Sequence, residues 1–174
     1  MTTDPKWLHP HWPTEFSSPR LLLRPVETAD SQLLRILWTD PDVRRFLGGP
    51  VPADQLDRRL ADAASQRGHF TVVLTEVGKG VGRVTLDPDH RAAGRAEVSY
   101  EFLPAYTGRG YAAEAVGTAL DWGMQVAPDQ QLIAVTQAAN TRSRRLLEGS
   151  GLLATEHFVE YGQSQVLYTT APSR

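Results

Sequence analysis

Cysteine is absent from the 174-residue sequence. Its absence excludes disulfide bonds, thiol nucleophiles and cysteine-based zinc sites. No apolar run approaches the length needed to span a membrane, and the N-terminal residues Asp4 and Pro5 do not belong to the apolar core of a signal peptide. We therefore expect a cytoplasmic protein that does not associate with membranes.

A strong net charge is also missing, because 18 Lys and Arg oppose 20 Asp and Glu and leave a formal charge of −2. This balance gives no electrostatic reason to expect a nucleic acid or an anionic membrane as a partner. The length predicts a single domain over residues 1–174, in which residues 1–17 form an irregular N-terminal extension. Within the extension, Trp7 and Trp12 are expected to anchor it to the domain.

Metal-ligand patterns are scarce too. His9 and His11 lie two residues apart with no clear third ligand, so we predict surface histidines and no metal site.

Hydrophobic periodicity predicts an α+β domain in which strands and helices alternate along the chain. A helix begins at residues 27–30, with Thr28 and Asp30 as candidate caps, and breaks at residues 40–42. The other predicted helices cover residues 52–67, 112–123 and 141–148. The predicted strands are 20–25, 70–75, 81–86, 96–102, 131–136, 157–159 and 165–169, the last two as a hairpin around residues 161–162.

The most informative stretch joins the strand 96–102 to the following helix through Gly108 and Gly110. Glycines at the start of a helix let backbone N–H groups approach a ligand, and the helix dipole makes that end positive. The stretch therefore predicts a seat for a phosphate or pyrophosphate. A tight turn with no ligand is the alternative.

The loop does not fully match either of two known phosphate-binding motifs. A Walker loop would require Gly-Lys-Ser/Thr, which is missing. Gly108, Gly110 and Ala113 match a dinucleotide fingerprint, but residues 137–140 after the next strand contain no acidic residue to bind a ribose.

Strand alternation places Glu97, Ser99 and Glu101 on one face of the strand beside this loop. A carboxylate there is suited to remove a proton from an amine nucleophile, directly or through a water. Two ordinary solvent-facing glutamates are the alternative. In the next strand–helix junction, Asn140 and Ser143 have the spacing of a helix N-cap and its first turn.

The order and spacing of these motifs resemble the GNAT superfamily of acetyl-CoA-dependent N-acetyltransferases, and within it the ribosomal-protein N-terminal acetyltransferase branch, RimJ/RimL-like. The resemblance covers about residues 18–170. It is carried by RLLLRP at 20–25, AEVSY at 96–100, GRGYAAE at 108–114, NTRS at 140–143 and LLEGSG at 146–151.

The resemblance implies a mixed, mostly antiparallel central sheet with helices on both faces, splayed between the strands 96–102 and 131–136. Acetyl-CoA would be the co-substrate. The residues implied to bind it are Tyr100, Phe102, Thr107, Gly108, Arg109, Gly110, Tyr111, Ala112, Asn140 and Ser143.

By the same resemblance, Glu97 is the general base, with Glu101 as the second candidate, and Ser143 protonates the leaving thiolate. Many relatives have a tyrosine acid where this sequence has Leu147, so a thiolate that is protonated by water is the alternative. The acetyl group would pass directly to a primary amine in a ternary complex, the amine belonging to a protein N-terminus or to a small molecule. A CoA-binding module without catalysis and a nucleotide-dependent oxidoreductase are the alternatives. The oligomeric state stays open, a homodimer included.

Overall fold

The computed structural model describes residues 5–171, and its centre is one eight-stranded sheet with the order β1-β2-β3-β4-β5-β6-β8-β7. All neighbouring strands are antiparallel except β5 and β6. The strands are β1 Phe16–Ser17, β2 Leu21–Pro25, β3 His69–Leu74, β4 Lys79–Pro88, β5 Arg95–Phe102, β6 Gln131–Gln137, β7 Leu153–Glu160 and β8 Gln163–Thr169.

Between residues 5 and 171, five α-helices connect these strands, together with short 3₁₀ helices at Lys6–His11, Thr28–Asp30 and Pro104–Tyr106. The helices are α1 Ser31–Thr39, α2 Pro41–Arg44, α3 Ala53–Ala63, α4 Tyr111–Val126 and α5 Thr141–Gly149. Within residues 5–171, none of them is both long and apolar enough to cross a bilayer.

Helices cover both faces of the sheet. Successive side chains of β5 point to opposite faces and so pack against different helices. Ala96, Val98 and Phe102 belong to a large core that α4 and α5 help to form. A smaller core lies between α1 and α3. Trp38 of α1 reaches the opposite face of β5, where its indole N–H donates to Glu101. The α+β architecture and the mostly antiparallel sheet are therefore confirmed.

The parallel pair β5–β6 is short, and this determines the shape of the centre. Its register runs over three pairs, from Arg95 with Gln131 to Glu97 with Ile133. Beyond these pairs the strands diverge, although β6 continues to pair with β8 up to Gln137. The predicted splay between these two strands is confirmed.

The N-terminal extension is more ordered than predicted. Lys6–His11 forms a 3₁₀ helix and β1 pairs with β2. Leu8 is fully buried, and Trp7 and Trp12 pack against the main core. The anchoring role of these tryptophans is confirmed over the described part of the extension, and residues 1–4 lie outside it.

Three details of the helix ends also differ from the predictions. Asp40 does not simply break the first helix, because its carboxylate accepts from the backbone N–H groups of Asp42 and Val43 and caps the short α2. The helix predicted over residues 52–67 ends earlier, at Ala63. Asp30 does not cap α1 with its side chain and instead binds Arg24 through two hydrogen bonds.

Gly82 in β4 gives a direct test of this packing. A Cβ atom there would lie 2.6 Å from Cδ1 of Phe102 and 2.8 Å from the Glu101 carbonyl oxygen. Gly82→Ala should therefore lower the free energy of unfolding by about 1–3 kcal/mol, measured by urea denaturation. Gly117→Ala on α4 is the matched control, since its Cβ meets nothing within 4 Å. The control should be neutral or stabilising by up to about 1 kcal/mol.

Candidate active site

The divergence of β5 and β6 opens a cleft of about 450 Å³ at the centre of the molecule. Residues of β5 form one wall and residues of β6 and α5 the other. The lining includes Val98, Ser99, Tyr100, Glu101, Phe102, Thr107, Ala112, Ala134, Val135, Thr136, Asn140, Arg142, Ser143 and Leu147. Backbone groups on the β6-facing edge of β5 have no strand partner here, so they are available to an extended ligand.

The glycine loop lies at one end of this cleft, between Thr107 and Ala112. Gly108 and Gly110 have φ values of +75° and +80°, in the left-handed region that glycine adopts without strain. Gly110 is the N-cap of α4, which runs for 16 residues. The first backbone N–H groups of α4 therefore point out of the helix end, next to the cleft.

Arg20, at the start of β2, holds this loop in place. Its Nε donates to Oε2 of Glu114 at 2.6 Å, and its Nη1 donates to the carbonyl of Arg109 at 3.1 Å. Its guanidinium also lies over the Tyr111 ring, 4.6 Å from the centroid. Ser18 donates to the other oxygen of Glu114. The sequence contains the motif at residues 20–25 and the acidic residue at 114. Only the tertiary structure shows that Arg20 and Glu114 form an ion pair.

Tyr100 and Ser143 meet across the cleft, with their hydroxyl oxygens 2.7 Å apart. Burial raises the pKa of the Tyr100 hydroxyl, and the Ser143 hydrogen bond opposes this more weakly. Tyr100 is therefore protonated at neutral pH. The pair offers two neutral hydroxyls to the cleft.

The residues predicted to bind the cofactor are brought together at this cleft. Six of them line it, namely Tyr100, Phe102, Thr107, Ala112, Asn140 and Ser143. The other four, Gly108, Arg109, Gly110 and Tyr111, lie in the loop between Thr107 and Ala112. Arg142 also lines the cleft, whereas Arg144 turns away and donates to the Tyr168 hydroxyl.

Glu97 lies on the opposite face of β5 and borders a neighbouring cavity of about 790 Å³. Its Oε2 accepts from Arg91 Nη1 at 2.6 Å, and Arg91 also binds Glu160 and Asp89. Burial raises the pKa of Glu97 above its ordinary value, and Arg91 acts in the opposite direction. A carboxylate with a raised pKa is better matched to accept a proton near neutral pH.

Glu101 has a different environment on the same face. Its Oε1 accepts from Trp38 Nε1 at 2.9 Å and from Arg83 Nη1 at 3.1 Å, and its Oε2 accepts from Arg44 at 3.4 Å. The residue is 7% exposed. These donors occupy both carboxylate oxygens, so Glu101 joins α1, α2 and β4 to β5.

A side-chain network that the sequence did not reveal extends from Glu101 across the sheet. Arg83 Nη2 lies 2.7 Å from His69 Nδ1, and His69 Nε2 lies 2.9 Å from Oδ1 of Asp87. A guanidinium has no acceptor, so Nδ1 must accept and the ring proton must be on Nε2. Burial lowers the pKa of His69, which keeps the ring neutral.

Asp89, His90 and Glu97 also offer ligand atoms within 4.8 Å of one another. Arg91 already donates to both carboxylates of this group. Asp89 accepts from Arg95 as well. The arrangement is therefore explained as an ion-pair cluster.

Comparison with known proteins agrees with this geometry. The family model described as an acetyltransferase (GNAT) domain matches residues 20–152, which is most of the chain. The protein belongs to the GNAT acetyltransferase family. The match contains both the glycine loop and the Asn140–Ser143 turn. Membership in this family, which the order of the motifs predicted, is confirmed, and the oxidoreductase alternative is wrong.

Relatives and solved structures of this acetyltransferase family have similar lengths. An uncharacterised N-acetyltransferase, p20, from Bacillus licheniformis is 27% identical over 135 residues, covering 74% of this chain and 76% of the relative. A GNAT-family acetyltransferase structure from Bacillus anthracis superimposes with a TM-score of 0.80 at 23% identity, covering 90% of this chain and 97% of that chain.

The branch named by the resemblance is represented among the structural neighbours. A ribosomal-protein-S5-alanine acetyltransferase from Vibrio fischeri has a TM-score of 0.73 at 16% identity, covering 90% of this chain and 96% of that chain. At this identity the similarity establishes a shared fold.

Asn140 provides a test of the α5 end of the cleft in this acetyltransferase. Its Oδ1 accepts from the Ser143 N–H at 3.1 Å, which makes it the N-cap of α5. Asn140→Ala should lower the free energy of unfolding by about 1 kcal/mol and also weaken CoA binding. Thermal denaturation and calorimetric CoA titration measure the two effects. A stability loss with unchanged CoA affinity would reduce Asn140 to a capping residue.

Proposed function

We propose that this protein transfers the acetyl group of acetyl-CoA to a primary amine by direct attack in a ternary complex. The observation that carries the proposal is the cleft between β5 and β6, which has the glycine loop at one end and the Glu97 carboxylate on the opposite face of the same strand. A thioester in this cleft would be accessible from the face that Glu97 borders.

The cofactor half of the proposal rests on backbone groups. The N–H groups of residues 108–112 would bind the pyrophosphate at the N-terminus of α4. The unpaired edge of β5 would bind the amides of the pantetheine arm as a neighbouring strand would. Asn140 and Ser143 lie along the opposite wall, where their polar atoms would face the arm and the thioester.

The reaction starts from an ammonium ion, which must lose a proton before its nitrogen can attack. Glu97 takes this proton, directly or through a water. The N–C bond then forms at the thioester carbonyl, and the C–S bond breaks. The leaving thiolate takes a proton from Ser143, which is in contact with Tyr100. The amine's second proton is lost as the amide forms and restores the Ser143 hydroxyl. Glu97 then gives the first proton to solvent, so one proton is released for each CoA thiol formed.

The acceptor class is a primary amine, either at a protein N-terminus or on a small molecule. The shared fold with a ribosomal-protein acetyltransferase supports including N-terminal peptides. We also propose a cytoplasmic location, where acetyl-CoA is made available to such enzymes. A homodimer is a further proposal, which sedimentation analysis would test.

The decisive experiment is a thiol-release assay with acetyl-CoA and a panel of amines that includes ribosomal-protein N-terminal peptides, polyamines and aminoglycosides. Amine-dependent CoA release with an acetylated product is the expected result. Calorimetric CoA binding without turnover of any amine would instead support the CoA-binding module.

Glu97→Gln tests the general base. The glutamine keeps the size of the side chain but cannot take a proton, so turnover should fall roughly 10²- to 10⁴-fold with little change in acetyl-CoA affinity. The wild-type rate should rise with pH as Glu97, whose pKa is raised, loses its proton. The mutant's deficit should shrink at higher pH, because more of the amine is already neutral.

Glu160→Gln is the matched control for Glu97→Gln, because both carboxylates bind Arg91. If freeing Arg91 were the cause of the lost rate, the control would show the same loss and the base assignment would be wrong. Glu101→Gln is a poorer control than Glu160→Gln, since it also disturbs bonds to Trp38, Arg83 and Arg44.

A further inference from the structure

Asp87 differs from the other carboxylates that border the two cavities on the Glu97 face of the sheet. Glu101 contacts Arg83 and Arg44, and Glu97 and Glu160 both contact Arg91. Asp87 instead accepts from the neutral imidazole of His69. In the described part of the chain, no arginine or lysine forms a salt bridge with it. Its negative charge is therefore oriented but not neutralised by direct contact.

The position of Asp87 relates this charge to the active site. Asp87 borders a cavity of about 300 Å³ whose lining includes Thr85, Ser99 and Glu101. Two arginines also line it, Arg44 and Arg83, and both form salt bridges with Glu101. Ser99 and Glu101 also line the cofactor cleft, so the two spaces are adjacent. Asp87 lies directly across the β4–β5 ladder from Glu97, on the same face of the sheet. A group that binds Asp87 would therefore lie beside the proposed base, in a cavity that adjoins the cofactor cleft.

Carboxylates that stabilise the fold are more deeply buried than Asp87 and bind arginine. Asp89 has a fully buried side chain that binds Arg91 and Arg95, and the Asp30 side chain is 8% exposed and binds Arg24. The Asp87 side chain remains 32% exposed. Burial alone would raise the pKa of Asp87, but the hydrogen bonds from His69 and Thr85 and the nearby charge of Arg83 lower it below its ordinary value. Asp87 is thus an accessible carboxylate that stays ionised.

The larger cavity beside Glu97 is less suited to attract an ammonium ion. Three arginines line it, Arg45, Arg59 and Arg91, against the two carboxylates Glu97 and Glu160. Both of those carboxylates already bind Arg91. Coulomb repulsion from the arginines would disfavour a cation there.

We propose that Asp87 binds the protonated amino group of the acceptor beside the cofactor cleft, and that His69 and Arg83 are positioning residues that hold its carboxylate. This proposal rests on the acetyltransferase activity proposed above and adds the group that captures the amine. The ligand class is a primary ammonium. After capture, the ammonium loses one proton to Glu97, and the neutral amine that results attacks the thioester, so Asp87 itself exchanges no proton.

Asp87→Asn should weaken binding of the amine more than it slows acetyl transfer. Hydrogen bonds to charged groups contribute enough that KM for the best amine of the panel should rise about 10- to 100-fold, with a smaller change in kcat. Acetyl-CoA affinity by calorimetry should not change. Asp87→Glu keeps the charge but displaces it, so its KM should lie between those of the wild type and Asp87→Asn. Asp57→Asn, whose side chain on α3 is 86% exposed, is the control for lost charge and should behave like wild type.

A second measurement uses the unaltered protein in case Asp87→Asn does not fold. With ¹⁵N-labelled histidine and saturating CoA, n-butylamine should shift the His69 Nε2 resonance, and the uncharged analogue n-butanol should not. An unchanged KM in Asp87→Asn, or a resonance that responds to neither probe or to both alike, would overturn the proposal. Failure of every amine in the thiol-release assay would instead reject the acetyltransferase activity, while the His69 resonance would still report ammonium binding.

Discussion

The short parallel pairing between β5 and β6 is the constraint on which the site depends. Three residue pairs hold these strands together, after which β6 continues with β8 and leaves one edge of β5 unpaired. Unpaired backbone groups in a protein interior are costly unless they find partners, so such a gap favours an extended polar ligand. The glycine loop and the Tyr100–Ser143 pair lie along this gap, and Glu97 and Glu101 project from the opposite face of β5.

The carboxylates on the face of the sheet that carries Glu97 differ in their contacts with arginine. Glu101 is held between Arg83 and Arg44 and ties the helical layer to the sheet. Glu97 binds Arg91, yet burial still raises its pKa, whereas the pKa of Asp87 is lowered. Two carboxylates whose environments shift their pKa values in opposite directions are suited to different tasks, one to accept a proton and one to remain charged.

Arg20 shows how a residue distant in sequence supports the cofactor loop. It joins the start of β2 to Glu114 and to the carbonyl of Arg109, and thereby restrains the first turn of α4. An anion site made of backbone N–H groups depends on such restraint, because the groups must point at the ligand before it arrives. Exposed as it is, this arginine contributes through geometry more than through the strength of its ion pair.

Local sequence determined the elements of this protein: the glycine loop before α4, the Asn140 cap, and the alternation that puts Glu97, Ser99 and Glu101 on one face. These features follow from backbone preference and side-chain period, which act over a few residues. Tertiary structure alone decided what each carboxylate contacts, because Trp38, Arg83 and Arg91 reach β5 from other elements. The contact between Asp87 and a neutral histidine likewise depends on β3 and β4 pairing in one register, which no local pattern specifies.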